Sequence, residues 1–278
     1  MRIGCCGSMI CPEKDPVGIE ILEPLAELGY DYIELSLRDL AALPPADFEN
    51  LRRRVERAPI ACESCNNLIP PPLRVTGRDA DVPRVMEYIE EAFSRAEALG
   101  AESIVFGSPL SKNVENGFPW ETAYQQLLDF VQVLGDAAAR HGLFIAMEPI
   151  NAGESNLLVS AKETCEFVRQ ADHPHIRLLV DYYHLGLDGE NPDVLLEAGP
   201  WLQHIHFSGI TPRAFPKSED EDAGYAHFLG NLIRAGYESR ISVEAYTRDF
   251  GEDAKEGLAF LRGLIGKLER ECRNGDHQ

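Results

Sequence analysis

The chain has 278 residues, 44% of them hydrophobic, so it can bury one large core. Its 46 acidic and 26 basic residues give a formal net charge of −20, which repels phosphate backbones and anionic bilayers and argues against nucleic-acid and membrane partners. No apolar run approaches the roughly 20 residues that span a bilayer, and the chain opens directly on an apolar strand without the pattern of a signal peptide, so a cytoplasmic location is expected.

In chain order, short apolar runs at 2–6, 32–37, 60–64, 103–107, 144–148, 176–181, 202–207 and 241–245 read as buried parallel strands. Between them lie stretches of helical period, among them 17–28, 82–99, 120–140, 161–169 and 252–268. Gly29, Gly100, Gly142 and Gly236 each follow a helical stretch, where a left-handed residue turns the chain into the next strand. Eight strand–helix units predict an α/β fold, a (β/α)₈ barrel, with residues 1–278 as a single domain. The competing open sheet would carry a glycine-rich phosphate loop after its first strand, and Gly4-Cys5-Cys6-Gly7-Ser8 lacks that spacing. The long loops at 66–81, 108–119 and 209–221 all follow strands, on the face where barrels do chemistry. Residues 273–278 read as a frayed tail.

Seven cysteines are an odd number, in a chain without secretory signals, and argue against structural disulfides. Cys62-Glu63-Ser64-Cys65 has CxxC spacing but no second such pair. Both thiols are expected as small buried residues and not as a zinc or redox centre.

The last four strands end alike. Apolar runs lead into Glu148, Asp181 and Glu244, and the seventh strand holds His204-Ile205-His206. A carboxylate in a low-dielectric wall is strongly disfavoured without a compensating charge. Three of them with an imidazole, on adjacent strands, point to one divalent cation on Glu148, Asp181, His206 and Glu244. This mixed oxygen and nitrogen set suits Mn²⁺ first, with Mg²⁺, Co²⁺ or Zn²⁺ as alternatives. His204 and His206 share a strand face, with His206 nearer the rim and His204 one layer deeper.

The segments Glu148-Pro149-Ile150-Asn151, Asp181-Tyr182-Tyr183-His184, His204-Ile205-His206 and Val243-Glu244 resemble the xylose isomerase-like barrel superfamily. That group includes sugar phosphate isomerases and epimerases, ketose 3-epimerases, inosose dehydratase, hydroxypyruvate isomerase and endonuclease IV. The resemblance runs the length of the chain and is closest to the ketose 3-epimerases. It implies that Glu148, Asp181, His206 and Glu244 are the metal ligands, and that Glu148 and Glu244 are also the acid/base pair. A proton would leave the carbon beside a metal-bound carbonyl, through a cis-enediolate, and return on the other face. Glu154, His184 and Arg213 match family positions that contact substrate, Arg213 with an offset of one residue.

The implied partner is a small sugar or sugar-derived molecule, and barrels of this kind often form homodimers or homotetramers. The alternative on the same scaffold is a lyase, an inosose-type dehydratase or a metal-dependent C-glycoside-cleaving enzyme. Gly209 stands where family members often carry an acid three residues after the second histidine, so the partner for His206 is either missing or supplied from elsewhere. The ends of strands three and four carry no histidine, so a trinuclear site is not expected. Lys112 and Arg74 are candidates for a phosphate contact, though neither sits in a glycine-rich cradle; Phe118-Pro119-Trp120 and Leu68–Leu73 are candidates for apolar lids, with packing the equal alternative for Trp120.

Overall fold

A computed structural model describes residues 1–275. Its parallel strands are β1 (Arg2–Cys6), β2 (Tyr32–Ser36), β3 (Ala61–Asn66), β4 (Ser103–Phe106), β5 (Phe144–Met147), β6 (Ile176–Asp181), β7 (Leu202–Phe207) and β8 (Arg240–Val243). They follow one another around a closed barrel, with β8 pairing to β1. The strands lie where the apolar runs place them, to within a residue or two. The expected (β/α)₈ architecture is the architecture found.

The helices pack outside the sheet for the usual amphipathic reason. In Val82–Ala98 the buried residues Val85, Ile89, Ala92, Phe93 and Ala96 recur at helical spacing, and Asp81 caps the start by accepting a hydrogen bond from the Arg84 amide at 3.2 Å. Gly29 ends the first helix with a φ of 91°. That helix, Leu22–Leu28, begins later than the periodicity predicts. Asp15 accepts from the amides of Gly18 and Glu20 at 3.0 and 2.7 Å, and this turn holds the chain out of the helix. Helix Gly224–Arg234 lies where the helical stretch before Gly236 is expected, and Pro45–Arg57 adds a helix between β2 and β3. At the other end, helix Phe250–Gly275 runs through Arg273 where a frayed tail is expected, and 276–278 lie outside the described residues. No helix among the described residues is long and apolar enough to cross a membrane.

Most of the hydrophobic core lies between sheet and helices, while Val105, Ala146 and Leu179 form a small separate apolar cluster. Near them runs a polar column. Tyr32 fills the lower barrel because Gly4 faces it: a Cβ on Gly4 would lie 2.4 Å from the ring. The Tyr32 hydroxyl meets Ser242 Oγ at 2.8 Å, and Ser242 leads to Glu34 and the two β7 histidines. Beside this column, Arg240 donates to Glu63 at 2.6 Å and also contacts Glu102.

Two register shifts matter for the site. Between β2 and β3, Ile33 pairs with Cys62 and Glu34 with Ser64, so Glu63 is an extra residue. Cys62 and Cys65 therefore reach the same side, both buried, with their sulfurs 3.8 Å apart. Between β6 and β7, Leu178 pairs with Leu202 and Leu179 with His204, which leaves Gln203 extra.

Candidate active site and metal centre

The barrel mouth collects the candidate side chains from strand ends. Glu148 follows β5; its amide donates to the Phe106 carbonyl at 3.2 Å. Asp181 closes β6 and caps the next helix, Tyr182–Leu187, by accepting from the Tyr183 amide at 2.9 Å. His206 lies in β7. Glu244 follows β8, its amide bonded to the Phe207 carbonyl at 3.2 Å. Parallel pairing thus puts all four at one end of adjacent strands.

Their side chains converge. One potential ligand atom from each of Glu148, Asp181, His206 and Glu244 lies within 4.8 Å of every other. His206 Nδ1 is 3.2 Å from Glu148 Oε1 and 3.0 Å from Glu244 Oε2. A cation bound by oxygen and nitrogen at about 2.0–2.2 Å holds opposite ligand atoms about 4 Å apart, so this spacing fits one ion. The donor chemistry fits as well: three carboxylates and one imidazole suit Mn²⁺, Mg²⁺, Co²⁺ or Zn²⁺. His206 is fully buried, and Asp181 and Glu148 are nearly so.

The local charges are strongly coupled. Burial works against the charged form of His206, but Glu244 and Glu34 beside it hold its pKa well above the ordinary imidazole value. Burial likewise opposes ionisation of Glu244, yet His206 and Arg213 bring its carboxyl down to about 2. Arg213 Nη2 donates to Asp181 Oδ2 at 2.8 Å and to Glu244 Oε2, and Nε donates to the Glu244 carbonyl at 3.1 Å. Its guanidinium lies over the Tyr183 ring, 4.2 Å from the centroid.

The other residues singled out in the sequence are placed as follows. His184 Nε2 is 3.7 Å from Asp181 Oδ2. Its Nδ1 accepts from the Asn151 side-chain amide at 2.8 Å, and the same amide donates to Glu154 Oε1 at 2.8 Å. Glu154, His184 and Arg213 therefore all connect to the four-residue cluster. Lys112 does not face a ligand space: it is fully buried, and its Nζ donates to the Glu148 carbonyl at 3.1 Å. Burial pushes its pKa down to about 8. Arg74 is likewise committed, donating to the carbonyls of Thr76, Leu110 and Asn113. Trp120 stacks on Tyr124, 5.1 Å between centroids, and Tyr124 in turn packs edge-on against Phe167, which is the packing alternative for Trp120.

The loops after β3, β4 and β5 are tied together. The Val75 amide donates to Ser111 O at 2.9 Å and Thr76 Oγ1 to Lys112 O at 2.7 Å. Ser155 Oγ donates to Asn113 Oδ1 at 2.7 Å.

Sequence reasoning passed over Glu34. This fully buried carboxylate in β2 sits 3.0 Å from His206 Nε2 and 2.7 Å from His204 Nε2, and it accepts from Ser242 Oγ at 2.6 Å. It supplies the partner that Gly209 cannot. Burial opposes its charge, but the adjacent His206 and His204 hold its carboxyl well below the usual range. The signal was present: one acid, two residues from the strand's end, inside the run Tyr-Ile-Glu-Leu-Ser.

Known proteins share this architecture. A ketose 3-epimerase from Arthrobacter globiformis is 22% identical over 273 residues, covering 95% of this chain and 90% of that protein. A 3-dehydroshikimate dehydratase from Pseudomonas putida is 23% identical over 87% of this chain and 39% of its own length. The crystal structure of a D-allulose 3-epimerase from Methylomonas sp. in complex with D-allulose superposes with a TM-score of 0.82 at 20% identity, covering 95% of this chain and 97% of that one. The family model described as xylose isomerase-like TIM barrel matches residues 22–264, and the chain belongs to that family.

Proposed function

We propose that this chain is a divalent-metal-dependent sugar isomerase or epimerase of the ketose 3-epimerase kind. The observation that carries the reading is the pair of glutamates that meet at one imidazole nitrogen, Glu148 Oε1 at 3.2 Å and Glu244 Oε2 at 3.0 Å from His206 Nδ1. They follow different strands, β5 and β8, and still bring their carboxylates to one point. Two such carboxylates beside one bound substrate can take a proton from one face of a carbon and return one to the other.

A divalent cation on Glu148, Asp181, His206 and Glu244 would polarise a substrate carbonyl and acidify the neighbouring C–H. The chain's own groups do the rest. Glu148 and Glu244 exchange the proton. Asp181 is held in place by Arg213 and by the Tyr183 amide. Arg213 and His184, with Glu154 reached through Asn151, orient substrate hydroxyls beside the cluster. Lys112 and Arg74 are both bonded to backbone carbonyls, which favours a sugar without phosphate. Mn²⁺ is the first candidate for the ion. The sequence similarity to 3-dehydroshikimate dehydratases supports a second reading, in which the same proton abstraction ends in loss of water.

Incubation in D₂O with a panel of free ketoses and inososes, using protein reconstituted with Mn²⁺ and followed by NMR, separates the two readings. Deuterium beside the carbonyl in an epimer or isomer that has lost no water, abolished by chelator, is the expected result for an epimerase or isomerase. A product lighter by one water establishes the lyase. Exchange in none of the compounds, with cation bound, would overturn both.

A further inference from the structure

We propose that Glu34 is a positioning residue that sets which nitrogen of His206 faces the cation. The inference rests on the ligand assignment above and adds a residue from the opposite wall of the barrel.

The argument is one of counting donors and acceptors. An ionised carboxylate only accepts hydrogen bonds. Glu34 Oε1 faces His206 Nε2 at 3.0 Å, so that nitrogen carries a proton. Glu34 Oε2 faces His204 Nε2 at 2.7 Å and Ser242 Oγ at 2.6 Å, so both of these donate too. The Tyr32 hydroxyl completes the chain by donating to Ser242 Oγ at 2.8 Å. His206, His204 and Ser242 all donate to Glu34, and Cys6 Sγ lies farther from His206 Nε2, at 3.9 Å.

A separate observation agrees. His204 Nδ1 is buried and has no hydrogen-bond partner. If it carried the proton, it would be an orphaned buried N–H, which folded proteins rarely tolerate. With the proton on Nε2, directed at Glu34, Nδ1 is a bare lone pair and the orphan becomes inexpensive. The same carboxylate thus fixes the tautomer of both histidines. In His206 the consequence falls at the mouth. With Nε2–H tied to Glu34, Nδ1 is the nitrogen left to meet Glu148 and Glu244, and its lone pair is available to a cation.

Glu34→Gln breaks this logic with little change in shape. An amide presents one acceptor and one donor where two acceptors stood. Whichever way it turns, one histidine must take the other tautomer or lose its partner. The experiment measures Mn²⁺ affinity by calorimetric titration for the wild type, His206→Ala and Glu34→Gln, with circular dichroism confirming the fold. Glu34→Gln is expected to bind Mn²⁺ about 10- to 100-fold more weakly than the wild type. If His206→Ala weakens binding and Glu34→Gln does not, the proposal fails while the ligand assignment stands. If wild type and His206→Ala bind alike, or neither binds, the ligand assignment fails and takes the proposal with it. Should Glu34→Gln not fold, nitrogen-15 NMR of the Zn²⁺-loaded wild type decides: a protonated Nε2 on His206 supports the proposal, and a protonated Nδ1 overturns it.

Discussion

Gly107 offers a sharp test of how closely Glu148 is held. It follows β4, and a Cβ built on it would lie 2.4 Å from Glu148 Oε2 and 3.0 Å from Ile150 Cδ1. Ordinary contact begins near 3.4 Å, so in Gly107→Ala the carboxylate oxygen must retreat by about 1 Å. The backbone here is outside the left-handed region, so alanine itself fits. The obstacle is the end of a side chain, and replacing glycine by alanine stabilises a permissive site by about 0.4–1 kcal/mol through the unfolded chain. Thermal stability is therefore expected to stay near that of the wild type. Function is expected to suffer, because a misplacement of about 1 Å in a reacting group lowers rates by about 10²-fold, or about 2.7 kcal/mol of transition-state stabilisation. Mn²⁺ affinity should fall as well. The assay pairs a melting curve with the solvent-exchange rate on the best substrate. A variant that melts and turns over like the wild type would refute the claim that Glu148 works from the position described.

Three further perturbations follow. Glu244→Gln should keep the fold and lower kcat by about 10²- to 10⁴-fold, the usual range for losing an acid/base group; wild-type turnover removes Glu244 from that role. Arg213→Ala should raise KM more than it lowers kcat, and an unchanged KM in steady-state kinetics would confine Arg213 to holding the loop. Lys112→Met tests a pH effect. A folded pKa of about 8 against 10.5 in the unfolded chain means that the unfolded state binds more protons between these values. The penalty for burying the ammonium is therefore complete below about pH 8 and is relieved as pH rises toward 10.5, by about 3 kcal/mol in all. Urea unfolding of both proteins across this window should show that rise in the wild type relative to Lys112→Met, and parallel curves would show that Lys112 titrates normally.

The sequence shows the barrel clearly because each strand is a short apolar run, and it shows the four-residue cluster because three acids stand where such runs end. Glu34 was harder to see. It lies within its run and not at the end, and its role appears only when β7 comes across the barrel to meet it. The register shifts at Glu63 and Gln203 leave no mark on periodicity, so the shared side of Cys62 and Cys65 could not be read from their spacing. The role of Lys112 stayed open for a related reason. A lysine in a loop at the mouth suggests an anion, and only the packed loops reveal that its partner is a backbone carbonyl.

Those packed loops divide the site into two mechanical halves. Glu148 is gripped through Lys112 by the interlocked segments after β3 and β4, whereas Asp181 and Glu244 are gripped together by Arg213 from the segment after β7. Under the two-base reading, each glutamate takes the proton from one epimer and delivers it to the other. Loosening either half would leave the equilibrium between epimers untouched, since a catalyst cannot move it. What would change is isotope bookkeeping: solvent label would wash into one epimer faster than into the other, and the imbalance would name the half that had slackened.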